Sequence, residues 1–366
     1  MPQVLLAVGT AKGAFLFRSD EKRTSWEAEG PLFKGWEVTQ LTIDPRREGR
    51  LFATIQHKFR GFEIHRSEDF GKTWTAMDEP PSYPAGVAMN RIWGVFPGHA
   101  ESPDRVFAGV DPAGLFVSDD GGRTWREVEG LNRHETRDVW LPGYGGLCCH
   151  TVRCDPFDPQ RIWACISVGG LFRSDDGGAT WAPKTQGVPL TVPCEEHEGV
   201  CNCIHNLAVS PNVPGRLFQQ NHGGLFRSSD AGESWQRIEE GLSYNFGLPL
   251  AVHPDNDQIL LAAPIIESDI VHLPVDLELY LQLSTDGGDN WQRNGEGLPS
   301  DGYMGIVLRH ALAIDDCDAL GVEHGAYVGT TSGDLYFSRD GIRTWQTMPG
   351  FHRLPRILSV QVATFG

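Results

Sequence analysis

The chain is short of positive charge. It carries 31 Lys+Arg against 48 Asp+Glu in 366 residues, a formal net charge of −17. Nucleic-acid binding draws on clustered cations that release counterions, so this balance argues against such a partner. It argues equally against adhesion to an anionic membrane surface. Long apolar runs are also missing. The longest, 259–266, is interrupted by Pro264 and is far short of the ~20 residues that span a bilayer. The N-terminal MPQVLLAVGTAKG has no basic start, no extended apolar core and no small-residue cleavage site, so a cytoplasmic location is expected. Eight Cys are present but no paired C-x2-C, which removes the usual zinc-finger spacings. Without an export signal, disulfides are not the default either.

Turn formers are abundant, with 43 Gly and 24 Pro, and they fall in a repeat. One octapeptide recurs as SEDFGKTW (67–74), SDDGGRTW (118–125), SDDGGATW (174–181), SSDAGESW (228–235) and STDGGDNW (284–291). SRDGIRTW (338–345) places Ile342 where the second Gly usually stands, and SDEKRTSW (19–26) places Glu21 where the Asp stands. Seven of the 11 Trp close these boxes. The Asp carboxylate suits the backbone N–H groups of its own turn and Gly permits positive φ, while the Trp opens the next strand with a large apolar ring. Regular recurrence marks the boxes as architecture rather than as carboxylates of one active site.

Each unit carries further strand signals ahead of its box: LTIDP, VRCDP, LAVSP or LAVHP, then RLFAT, RVFAG or RIWAC, then GGLFRS or GGLFVS. Four short strands per unit of about 50 residues predict the blades of a β-propeller. The fold expected is all-β: seven four-stranded antiparallel blades in a single domain over 1–366. Blade seven is shared in a 3+1 closure by about 3–30 and 356–364. An eight-bladed ring, or a smaller one with a degenerate unit omitted, is the competing arrangement.

The motif S-x-D-x-G-x-[T/S]-W resembles the Asp-box, or BNR, repeat of sialidases, xyloglucanases, sortilin-type receptors and the photosystem II assembly factor of chloroplasts and cyanobacteria. The resemblance covers nearly the whole chain. It implies the propeller fold but no single function, because those proteins do different things. It also implies that any active site lies at the mouth of the central channel on the face without the boxes.

Meander topology selects the same face. The boxes join strands C and D, so the D-to-A and B-to-C connections lie at the other end. Strands A align on their closing Pro (Asp316 in the sixth), and six residues earlier stand Thr39, Arg91, His150, His205, Leu248 and His310. The next alternate positions are apolar, as period-2 packing requires. B-to-C turns contribute His57, Asp111 and Asn221–His222, and D-to-A segments contribute Trp36, Glu37, Trp140, Tyr144 and Tyr244. Arg309 and Arg356 also precede strands A. Candidate ligand contacts are therefore Arg91, His150, His205, His222, His310, Asn221, Trp36, Trp140 and Tyr244, a mixture that suits a small polar ligand. The same groups could instead line a hydrated channel.

A second cluster reads Cys194-E-E-His197-E-G-V-Cys201-N-Cys203-I-His205. Thiolates and imidazoles this close suit zinc; candidate ligands are Cys194, His197 and Cys201, or an all-histidine set of His150, His205 and His310. Cys154, Cys165 and Cys203 read as small buried strand residues.

The resemblance to sialidases would require three arginines, for which Arg91, Arg309 and Arg356 are candidates. The F-R-I-P entry motif is replaced by N-R-I-W (90–93) and P-R-I-L (355–358), and a sialidase ring has six blades, so sialidase activity is not carried over. A glycosidase of another kind needs two carboxylates about 5–10 Å apart; Glu37 and Asp111 are candidates among many. The reading is a glycoside-hydrolase-like propeller that binds or acts on a carbohydrate or similar polar ligand. A non-catalytic scaffold for a protein partner and a metal-dependent lactonase-like hydrolase are the alternatives.

Overall fold

The computed structural model describes residues 3–57, 61–84, 86–193, 199–267 and 272–365. It contains seven four-stranded antiparallel meanders, one with a short extra strand (Leu273–Pro274). The fold is a seven-bladed β-propeller. By packing, the chain divides into two compact units, the first comprising Met1–Ile43, Ser210–Asn212 and Ile238–Gly366, the second Asp44–Val209 and Val213–Arg237.

In the first unit the chain ends share a blade. Its order is Ile357–Thr364, Val4–Thr10, Gly13–Ser19, Glu27–Leu32. The C-terminal strand runs antiparallel to the first, pairing Val4 with Thr364 and Val8 with Val360. The 3+1 sharing read from the sequence is thus present, with the last strand beginning at Ile357. The strand Val4–Thr10 is buried throughout. Its Val4, Leu6 and Val8 join a core with Leu312, Tyr327, Val328, Ile357 and Val360.

In the second unit the blade Arg91–Pro97, Val106–Asp111, Gly114–Ser118, Arg126–Glu127 is followed by Cys149–Cys154, Ile162–Ile166, Gly170–Ser174, Ala182–Pro183. Phe96, Phe107 and Leu115 of one share a core with Val152, Ile162 and Phe172 of the next. Both faces of a blade are covered, so strands such as Gly114–Ser118 are buried along their full length rather than alternating.

The boxes are turn devices. In 118–125 the Ser118 hydroxyl donates to Asp120 Oδ1 at 2.7 Å and accepts the Gly122 N–H at 2.8 Å. Asp120 also accepts the N–H groups of Arg123 and Thr124, both at 2.9 Å, and the Thr124 hydroxyl at 2.7 Å. Gly121 and Gly122 sit at φ 73° and 89°, a left-handed pair that glycine adopts without strain. Ile342 takes the same conformation at φ 61° in the sixth box, where its full burial in the core offsets the backbone cost. The Trp125 indole closes the turn by donating to the Gly122 carbonyl at 3.1 Å.

The 19–26 box lacks the Asp and uses a different clamp. Arg23 occupies the Gly position at φ 55°. Its guanidinium donates to Asp315 Oδ2 at 2.7 Å, with the two side chains 1% and 0% exposed, and also to the Glu323 carbonyl. Asp315 is further held by the Tyr327 hydroxyl at 2.9 Å and the Gly325 N–H at 2.8 Å. The carboxylate of this buried pair is thus well satisfied, as such a pair requires, while Arg23 Nε is buried without a hydrogen-bond partner.

Candidate functional site

At the strand ends away from the boxes, the second unit gathers several of the sequence-selected residues. Arg91 opens strand A of its blade and pairs in register with Asp111, the last residue of strand B. The Asn90 amide donates to Asp111 Oδ1 at 3.0 Å, and the Asn90 N–H to the Asp111 carbonyl at 2.7 Å. Burial pushes the Asp111 carboxyl above the ordinary range; the Asn90 bond and the Arg91 charge oppose this without cancelling it. Arg91 Nε donates to Gln56 Oε1 at 3.1 Å, and its guanidinium lies over the Trp93 ring, 5.2 Å from the centroid.

A glycine loop packs on this group. Gly143 and Gly146 exchange backbone bonds of 3.2 and 3.0 Å. A Cβ on Gly145 would stand 3.3 Å from the Trp93 ring, and one on Gly146 would collide with the Asp111 carboxylate. Gly146 also has φ 102°, so only glycine fits the approach. The loop carries Tyr144 at 73% exposure and Leu141 at 45%. A carboxyl raised by burial, amide and guanidinium donors and aromatic faces therefore meet at one place.

The next two blades place histidines at irregular points of strand A. Ladder pairing skips His150, between Cys149 and Thr151, and skips His205, between Ile204 and Asn206. A bulge of this kind re-aims the side chain of the skipped residue. The two rings end in different roles. His150 is fully buried, with Nδ1 2.9 Å from the Thr151 hydroxyl and Nε2 3.0 Å from the Ile204 carbonyl. Both its nitrogens are engaged in these contacts. His205 lies with its ring centroid 5.8 Å from that of His222, and the ligating atoms of Cys203, His205 and His222 all fall within 4.8 Å of one another.

Other selected residues are held in contacts within the fold. Trp140 is 4% exposed, packs 5.0 Å from Phe172 and spends its N–H on the Thr136 hydroxyl at 3.0 Å, which places it in the core rather than at a ligand surface. Asn221 is fully buried and accepts the Gly223 N–H of its own turn at 3.1 Å. Cys201 is disulfide-bonded, so its sulfur is not available to a metal as a thiolate. Cys194 and His197 lie outside the described residues.

In the first unit Trp36 and Glu37 are half-buried at the start of Glu37–Ile43. Tyr244 packs on the small cluster of Phe246, Ile265 and Ile306. Arg309 and His310 are half-buried, and the His310 carbonyl accepts the Val360 N–H at 2.7 Å. Arg356 is exposed, and its carbonyl accepts the Ala11 N–H at 2.9 Å. Four participants are not among the candidates that the sequence offers. Trp93 and Cys203 read there as strand packing, and Gln56 carried no signal. Asn90 could have been found as the immediate neighbour of Arg91.

Two family models match the chain: one described as BNR-Asp box repeat over residues 64–77 and one as BNR/Asp-box repeat over residues 116–127. Among curated proteins, an oligoxyloglucan-reducing end-specific xyloglucanase of Emericella nidulans is 23% identical over 83% of this chain and 40% of its own length. A xyloglucanase of Acetivibrio thermocellus is 23% identical over 58% of this chain and 27% of its own. The chain thus spans less than half the length of these relatives. Among solved structures, a GH74 enzyme of Niastella koreensis superposes with TM-score 0.61 at 16% identity, covering 94% of this chain and 55% of that one. YCF48 from Cyanidioschyzon merolae does so with TM-score 0.52 at 12% identity, covering 86% and 88%. The chain thus carries Asp-box repeats on a propeller fold and is similar in sequence to xyloglucanases.

Proposed function

We propose that this chain binds a carbohydrate at the Asp111 group and acts on it in the manner of a glycoside hydrolase. The observation that carries this reading is the raised Asp111 carboxyl, paired with Asn90 and set beside the Arg91–Trp93 stack under the glycine loop. Raising a carboxyl above its ordinary range moves it in the direction that protonation of a glycosidic oxygen needs. Trp93 and Tyr144 offer faces for sugar rings, and the amide and guanidinium groups offer hydrogen bonds to hydroxyls. The similarity to xyloglucanases supports a glucan backbone as the ligand class.

Calorimetric titration with xyloglucan and cello-oligosaccharides, together with an aryl glycoside panel, tests this. Tyr144→Ala is expected to weaken binding about tenfold, as loss of about 1–1.5 kcal/mol of ring stacking implies, with no change in melting. Asp111→Asn is expected to abolish turnover while binding persists. A glycan panel silent for wild type, combined with a protein partner recovered through the same loops, would replace this reading with the scaffold. Lactone turnover in place of glycoside turnover would replace it with the lactonase.

A further inference from the structure

We propose that Cys203, His205 and His222 form a zinc site. The three lie on different pieces of one blade: Cys203 just before strand A, His205 at its bulge, and His222 in the turn between strands B and C. Their ligating atoms fall within 4.8 Å of one another. A tetrahedral ion with bonds of about 2.1 Å to nitrogen and 2.3 Å to sulfur needs separations of about 3.4–3.6 Å, so modest side-chain rotation closes the set. The backbone already holds the pieces together, since the His222 N–H donates to the Cys203 carbonyl at 2.9 Å and the Thr191 hydroxyl accepts the Cys203 N–H at 2.8 Å.

The surroundings favour a bound cation. Cys203 is 8% exposed and His205 4%, so their sulfur and nitrogen are largely withdrawn from water, and His222 is half-exposed. One thiolate and two imidazoles form a mixed soft and borderline donor set, which suits zinc better than magnesium or calcium. Three protein ligands leave a fourth tetrahedral position for water or a ligand oxygen, the pattern of open rather than closed zinc sites. The glycine loop runs beside the cluster, since a Cβ on Gly143 would stand 3.8 Å from Cys203 Sγ, and the same loop touches Trp93 and Asp111. The metal site does not depend on the carbohydrate reading.

The test strips the full chain with a chelator, reloads it with Zn2+ or Co2+, removes excess metal and measures metal by mass spectrometry. Wild type is expected to retain one equivalent, and the cobalt form to show a thiolate-to-metal charge-transfer band in the near ultraviolet. Cys203→Ser removes the band and weakens zinc binding by more than about tenfold, since even outer-shell substitutions cost that much. His222→Ala, in a half-exposed turn, gives the same loss of zinc while melting like the metal-stripped wild type. Cys154→Ser, a cysteine outside the cluster, keeps both band and stoichiometry. A wild-type chain that takes up no metal, a cobalt form without the thiolate band, or zinc held equally tightly by Cys203→Ser and His222→Ala would overturn the proposal.

Discussion

Replacing Asp120 by Ala separates architecture from function. The carboxylate accepts from Ser118, Arg123 and twice from Thr124, yet it sits at the box end of its blade. By analogy with helix caps and charged hydrogen bonds in partly exposed turns, the loss should cost about 1–2 kcal/mol. For a unit of this size that corresponds to a fall of about 2–8 °C in melting temperature. The effect should also depend on pH. Burial opposes ionisation, but the bonds from Thr124, Ser118 and Arg123 outweigh it and hold the Asp120 carboxyl down to about 2, against about 3.9 in an unfolded chain. A depressed carboxylate stabilises the fold above its unfolded value and loses that contribution as pH falls through its folded value. The gap between wild type and Asp120→Ala should therefore be full at pH 7, shrink below about pH 4 and nearly vanish near pH 2. Urea denaturation at pH 7, 4 and 2.5, with oligosaccharide binding at pH 7, measures all of this. An equal gap at every pH, or lost binding with unchanged stability, would refute the reasoning.

Three further outcomes follow from the geometry. Arg23→Ala strands the buried Asp315 carboxylate and should cost about 3–5 kcal/mol, read by urea denaturation; a change below about 1 kcal/mol would show that the clamp is idle. Gly146→Ala drives a methyl into Asp111 at a left-handed position, so it should weaken oligosaccharide binding more than Gly302→Ala, where no atom lies within 4 Å; titration of both variants decides. Deleting 356–366 removes the strand that covers Val4–Thr10, and the exposed edge should bring aggregation measurable by light scattering; a monodisperse, cooperatively melting truncation would contradict the shared blade.

The fold was legible because each box repeats a local solution. Ser, Asp, Gly and Trp at fixed offsets state a turn whose hydrogen bonds close within eight residues. Where the local code lapses, the sequence says less. Arg23 is clamped at its left-handed turn by distant groups, Asp315 at a separation of 292 positions among them, and no local pattern announces it. The site was legible in register but not in role. His150 and His205 share one strand position and one bulge, yet the neighbouring Thr151 hydroxyl and Ile204 carbonyl absorb one ring while Cys203 and His222 surround the other. Trp93 fits an apolar alternation, and only the ladder irregularity that skips it between Ile92 and Gly94 and the Arg91 guanidinium show that it belongs to the polar group. The unusual Asp111 carboxyl depends on burial beneath a loop some thirty positions away, which composition and spacing do not encode.

The central claim is that the strand ends away from the boxes hold the carbohydrate. Hydrogen–deuterium exchange of the full chain with and without a saturating xyloglucan oligosaccharide tests it most directly. The expected footprint is added protection in 88–93, 109–114 and 141–147, with the box turns 118–125 and 174–181 unchanged. Protection confined to the box turns, or no change in any peptide at a concentration that saturates a xyloglucanase, would contradict it.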